Sequence, residues 1–146
     1  MVSRWPLVAV RRHRLDATEA GEPRIVLEVT VCASGRALRV FNHHADVRRR
    51  SRQSGLARLR ELVAPHVGGG VVVLGDFNDG PTRDGVRSLL DAGLVDVGAE
   101  QNRPTTAGGR IDYLLVDSLL ATRVQSTQVW PTRKSDHHAL ITEFDW

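Results

Sequence analysis

Four short stretches of the chain place polar side chains beside apolar runs, where carboxylates, amides and imidazoles need a reason to be. VFNHHAD sets Asn42, His43 and His44 after Val40 and Phe41. VVVLGDFNDG sets Asp76 and Asn78 after Val71–Leu74. GRIDYLLV holds Asp112 inside an apolar segment, and KSDHHAL holds Asp136 and His137 just before another. Together they match the inventory for cleaving a phosphate ester. That reaction needs a group to orient or deprotonate water and donors for the phosphoryl oxygens. It also uses a hard cation, Mg²⁺, Mn²⁺ or Ca²⁺, which takes oxygen ligands. There is no HExxH or CxxC spacing, so a zinc cage is not indicated. Read singly, each stretch has a plainer account: GDFN as an Asx turn, Asp112 as a cap or ion-pair residue, the histidine pairs as surface.

The elements that must carry these residues follow from periodicity. RIVLEVTVCA alternates Ile25, Leu27, Val29 and Val31, which predicts a strand. After a Ser-Gly turn, Ala37–Asn42 predicts its hairpin partner. An earlier alternating run follows Pro6, and residues 17–23 form a polar loop between the two. From Arg48 the period becomes helical: Leu56, Leu59, Leu62 and Val63 share one stripe, ended by Pro65 and the glycines at 68–70. Val71–Leu74 is continuously apolar and predicts a strand buried on both faces. PTRDGVRSLLDAG predicts a short helix, capped by Thr82, with Val86, Leu89 and Leu90 inward and Gly93 at its end. RIDYLLVD, TRVQSTQVW and HHALITEFDW are three further strands. Hairpins mixed with strand–helix–strand units point to a layered α/β (α+β) sandwich.

The bulk numbers bound the partners. A chain of 146 residues, 41% hydrophobic and 25% charged, fits one globular domain, residues 1–146. No apolar run approaches the roughly 18 residues of a membrane span, and no secretory signal is visible, so a cytoplasmic location is the default expectation. Cys32, the single cysteine, excludes an internal disulfide and reads as a packed strand residue. The net charge is +3, with Lys134 the only lysine. Arginine stays charged and forks onto phosphate oxygens, which fits an anionic partner. The cluster Arg48–Arg52 could meet a polyanion, although a solvated helix start is the commoner meaning of such a run. Three Trp, three Phe and one Tyr are few for a surface that stacks single-stranded bases.

The stretches GDFN (75–78), RIDYLLV (110–116) and SDHHAL (135–140) resemble, in that order, the motifs of the endonuclease/exonuclease/phosphatase superfamily, the deoxyribonuclease-I-like metal-dependent phosphoesterases. VFNHHAD looks like the family's Asn-Thr-His-Leu motif, with His43 for Thr and Ala45 for Leu, and SRWPL like its Ser-Arg-aromatic-Pro strand start. The resemblance implies a four-layer α/β/β/α sandwich and hydrolysis of a phosphodiester or phosphomonoester with Mg²⁺ or Mn²⁺. It implies that His137 is the catalytic histidine, as base or cationic phosphate contact, and that Asp112 holds its ring. Asp76 would orient or activate water, Asn78 would bond the nucleophile or a phosphoryl oxygen, His44 would donate to phosphate, and Asp136 with Asp76 would lie at the metal. His43 and His138 are neighbours without a role.

Family members also carry an upstream part with a metal-site Asn and a Gln-Glu motif, and no Gln-Glu pair occurs here. Glu28 lies in an apolar strand and is not a substitute. The expectation is therefore an N-terminally truncated domain that lacks the first strands and helices and binds metal weakly. Such a domain leaves a sheet face partly uncovered and open to self-association. Two function classes follow: a phosphoesterase, or a catalytically weak or inactive remnant that binds phosphate-bearing ligands. The phosphate-ester partner could be nucleic acid, a phospholipid headgroup or an inositol phosphate.

Overall fold

The computed structural model describes residues 1–15 and 22–145, so most of the loop expected over 17–23 lies outside the described residues. Strands β1 (Leu7–Arg14), β2 (Ile25–Ala33) and β3 (Arg36–His43) form an antiparallel meander. Helix α1 (Arg49–Val63) then crosses back, so that β4 (Val71–Asp76) lies parallel to β3. Helix α2 (Asp84–Leu90), β5 (Leu94–Asp96), β6 (Asp112–Asp117), α3 (Ser118–Ala121), β7 (Val124–Trp130) and β8 (Ala139–Phe144) follow. The main sheet has the order β1-β2-β3-β4-β6-β5, and β7-β8 form a separate two-stranded sheet.

The expected hairpin, the central buried strand and all three later strands are present. Strand β4 is bordered by β3 and β6, and Val71, Val72 and Val73 are buried, as a continuous apolar run requires. Helix α1 buries Leu56, Leu59 and Val63, with Leu62 partly covered, and gives way at Pro65 to a 3₁₀ turn, Ala64–His66. One expectation fails locally. Arg83, not Thr82, occupies the cap position of α2 and makes no side-chain cap bond. Asp84 supplies negative charge in the first turn instead. Two short elements had no periodic signature: the three-residue β5, and α3, which is capped when Asp117 accepts a bond from the Leu120 N–H at 3.1 Å.

The two faces of the main sheet carry separate cores. On one, Val26, Phe41, Val73 and Leu115 meet Leu56, Leu59, Val86 and Leu89 of α1 and α2. On the other, Val29, Val31, Val40, Val72 and Val116 pack with Trp5, Leu120 and Phe144 of β8. The layers are therefore helix, six-stranded sheet and two-stranded sheet, the part of the four-layer sandwich expected of this chain. The face opposite the helices is partly uncovered. Val29 is 1% exposed, whereas Val8 and Val10 on the edge strand β1 are 65% and 52% exposed.

The sheet is fastened hardest at the start of β4. The buried Asp117 carboxylate accepts backbone N–H bonds from Gly68, Gly70 and Val71 at 2.9–3.0 Å. At the opposite end of the same strands, β3, β4 and β6 finish together. Gly75 permits this crossing: its φ is +140°, and a Cβ there would lie 1.9 Å from the His43 carbonyl oxygen.

Candidate active site

The ends of β3, β4 and β6 are tied by backbone bonds. The Ala45 N–H donates to the Asp76 carbonyl and the Phe77 N–H to the Ile111 carbonyl, both at 2.8 Å. Asp76 and Asp112 face each other as register partners in the β4–β6 ladder. Below them Phe77 stacks on Tyr113, with ring centroids 5.1 Å apart, and supports both strand ends from the core.

The fourth stretch arrives from the loop before β8. His137 Nδ1 lies 2.9 Å from Asp112 Oδ2 and 3.1 Å from Oδ1, so the ring donates its Nδ1–H to that carboxylate. This bond and the nearby charges of Asp112, Asp76 and Asp136 outweigh partial burial and hold the imidazole above its ordinary pKa. The far nitrogen, Nε2, faces Asp76 Oδ2 at 3.9 Å. His44 Nε2 stands 3.4 Å from the same oxygen. Asn78, at φ +48°, donates its backbone N–H to Asp76 Oδ1 at 2.8 Å. Its amide donates to the Ala45 carbonyl at 3.0 Å and reaches Asp76 Oδ2 at 3.4 Å. One carboxylate oxygen thus has three nitrogen-bearing side chains around it.

The structure brings five of the six sequence-derived residues together: Asp76, Asn78, Asp112, His137 and His44. Asp136 stands apart. It is exposed, and its Oδ1 accepts a bond from the Ser135 hydroxyl at 3.3 Å. Adjacent residues in a bend point to different sides, so the aspartate turns out as His137 turns in. His43 also differs from its neighbour. It is 2% exposed, donates Nδ1–H to the Ile25 carbonyl at 2.9 Å, and is kept in its neutral form by burial. Gly55 of α1 leaves it room, since a Cβ there would come within 3.2 Å of its Nε2.

Sequence reasoning missed Thr105, which is fully buried. Its hydroxyl accepts the backbone N–H groups of Ile111 and Asp112 at 3.2 and 3.1 Å, and its carbonyl accepts the His138 N–H at 2.7 Å. One residue therefore fixes Asp112 against His137. The only signal for it was a hydroxyl residue before the Gly-Gly turn of TTAGGRID.

Asp76, Asp112 and His137 each bring one possible ligand atom within 4.8 Å of the others. A hard divalent cation seeks about six oxygens. Here Asp112 is engaged with His137, and Asp76 Oδ1 with the Asn78 N–H. The donor set does not by itself make a cage for Mg²⁺ or Mn²⁺.

The fold is shared with solved structures at low identity. A mannosyl-6-phosphatase of Bacteroides thetaiotaomicron matches with a TM-score of 0.77 and 19% identity, over 97% of this chain and 67% of that one. A 3′ phosphatase from Neisseria bound to a product DNA hairpin matches at 0.75 and 23%, over 99% and 73%. The human Nocturnin catalytic domain with bound sulfate matches at 0.75 and 23%, over 97% and 60%. The chain thus spans about two thirds of the length of these structures. No sequence among curated proteins matches it. The family model for endonucleases, exonucleases and phosphatases matches residues 1–137, across every element that builds the corner around Asp76, and the chain belongs to the endonuclease/exonuclease/phosphatase family.

Proposed function

We propose that this chain is a phosphoesterase that hydrolyses a phosphodiester or phosphomonoester at the corner formed by Asp76, Asp112 and His137. The observation that carries the reading is the His137 ring, fixed by Asp112 at 2.9 Å with its free edge turned to Asp76. Asp76 Oδ2 accepts a hydrogen bond from water and aims its lone pair at phosphorus. The water oxygen bonds to phosphorus, the ester oxygen leaves with the bonding electrons, and the water proton passes to Asp76. His137, favoured as imidazolium by its raised pKa, donates from Nε2 to a phosphoryl oxygen. His44 and the Asn78 amide are the further donors at that oxygen cluster. The phosphate esters in the names of the fold relatives, a sugar phosphate and a DNA 3′ phosphate, support this class of reaction.

Dependence on Mg²⁺ or Mn²⁺ belongs to the same reading. The assay is release of p-nitrophenol from its mono- and bis-phosphate esters with each cation. Activity in the wild type that disappears in His137→Ala supports the assignment; activity that survives His137→Ala overturns these roles. The small oxygen donor set favours one other reading, a domain that holds phosphate-bearing ligands without cleaving them. Turnover separates the two: a phosphate ester that is bound but not hydrolysed, with or without Mg²⁺ or Mn²⁺, marks the binding domain.

A further inference from the structure

A trough of about 550 Å³ lies beside the corner and shares Asn78 with it. Its walls include Arg49 and Arg52 at the start of α1 and Arg83 before α2, with Asp79 and Asp84. These arginines stand where α1 is least suited to hold them. Its first turn contains no acidic residue, and Arg48 at the cap position makes no side-chain cap bond. Positive charge at a helix N-terminus opposes the macrodipole, and it is offset in part by Asp79, 3.4 Å from Arg52 Nε, and by buried Asp46, which accepts the Arg48 N–H at 2.8 Å. Arg52 is already aimed. Its Nη1 donates to the Val47 carbonyl at 2.7 Å, and its Nε lies 3.4 Å from Asp79 Oδ1, Asp79 being 7% exposed. Arg49 and Arg83 are exposed. No aromatic side chain lines the trough, so it offers forked donors for phosphate and no surface for stacking a base.

We infer that Arg49, Arg52 and Arg83 form a second phosphate subsite, and that the substrate carries another phosphate beyond the one attacked at Asp76. The inference rests on the hydrolytic reading for which phosphate is cleaved, but not for whether the trough binds. A second phosphate entering the trough brings negative charge to the start of α1 and passes Asn78 on its way from the reacting centre. Arg52 is held in place by its two partners, while Arg49 and Arg83 are exposed and line the same trough.

The test is equilibrium binding in EDTA, where no hydrolysis interferes. The probes are a 5′-phosphorylated thymidine dinucleotide, thymidine 5′-monophosphate and fructose 1,6-bisphosphate. The dinucleotide is expected to bind about tenfold or more tighter than the monophosphate. Arg49→Gln and Arg83→Gln are exposed changes, checked for folding by circular dichroism. Each is expected to weaken dinucleotide binding several-fold and lower its salt slope by about one, and to weaken the monophosphate by no more than that. Equally tight binding of the bisphosphate also supports the subsite and assigns it to any doubly phosphorylated compound; its absence confines the subsite to a nucleic-acid backbone. Equal affinity for one and two phosphates, unchanged binding in both variants, or no binding of any probe overturns the inference. Discrimination without hydrolysis would sink the catalytic reading alone, and hydrolysis without discrimination would sink the subsite alone.

Discussion

Two of the histidine–carboxylate pairs among the described residues contrast sharply. Glu28 and His13 meet at 2.7 Å between β1 and β2, and Asp112 and His137 meet at 2.9 Å at the end of β6. The first carboxylate is saturated. Glu28 is 5% exposed, is also bonded by Arg39, and has Arg11 at 3.9 Å. Burial alone would raise its pKa, but the bonds from His13 and Arg39 and the charges of Arg39 and Arg11 hold it below the ordinary value. The second pair is open. The far nitrogen of His137 turns to a second carboxylate across 3.9 Å, beside His44 and Asn78. A bonded imidazole and carboxylate therefore do not mark a reactive centre. What distinguishes the His137 corner is an unused ring edge facing an acceptor.

The contrast breaks first on activity. Asp112→Asn or His137→Ala should cost about 10²- to 10⁴-fold in phosphate-ester hydrolysis, whereas His13→Gln should stay within about twofold. Comparable losses from both pairs would erase the distinction. On stability the order reverses. Glu28→Gln leaves Arg39 and His13 without their buried partner, and after discounting for the partial exposure of both it should cost about 1–3 kcal/mol. Because the folded pKa of Glu28 lies below 4.5, this stabilisation is present above the unfolded value and is lost as pH falls through the folded one. Denaturant midpoints of wild type and variant should converge in acid.

Thr105 sharpens the picture of the open pair at slightly smaller cost. Thr105→Val removes the acceptor of two backbone N–H groups and should destabilise by about 1–2 kcal/mol while lowering hydrolysis; Thr105→Ser should restore both. The smallest effect is spectroscopic. The His137 ring proton should titrate above 6.5, and Asp112→Asn should return it towards that value. Since the folded pKa is the higher one, any stability from the pair is full below the unfolded pKa and fades as pH rises through the folded pKa. A wild-type midpoint already at or below 6.5 would count against the Asp112 bond.

Much of the scaffold was legible because its signals are local. The β2–β3 hairpin alternates, β4 is a continuous apolar run, and α1 shows its stripe. Strand β5 and helix α3 were not legible: with three and four residues, neither reaches the second period that would show a repeat. At the site, Asp76, Asn78 and Asp112 could be placed because each sits at the end of a strand that the apolar pattern reveals. Asp136 could not be told apart from His137, since one residue of bend decides which side chain faces the corner. Thr105 has no spacing to betray it. It matters only through bonds to residues six, seven and thirty-three positions away, and these exist only in the folded chain.

Asp117 fastens the start of β4: one carboxylate takes three backbone N–H bonds and also caps α3. It stands at the other end of β4 and β6 from Asp76 and Asp112. The anchorage of the strands and the chemistry at their tips are thus entrusted to different residues a strand length apart. Such a division leaves the tips free to vary over evolutionary time. On the hydrolytic reading, exchanges in the arginine trough are expected to change which phosphate ester is accepted without loosening the joint that holds β4 and β6 in register.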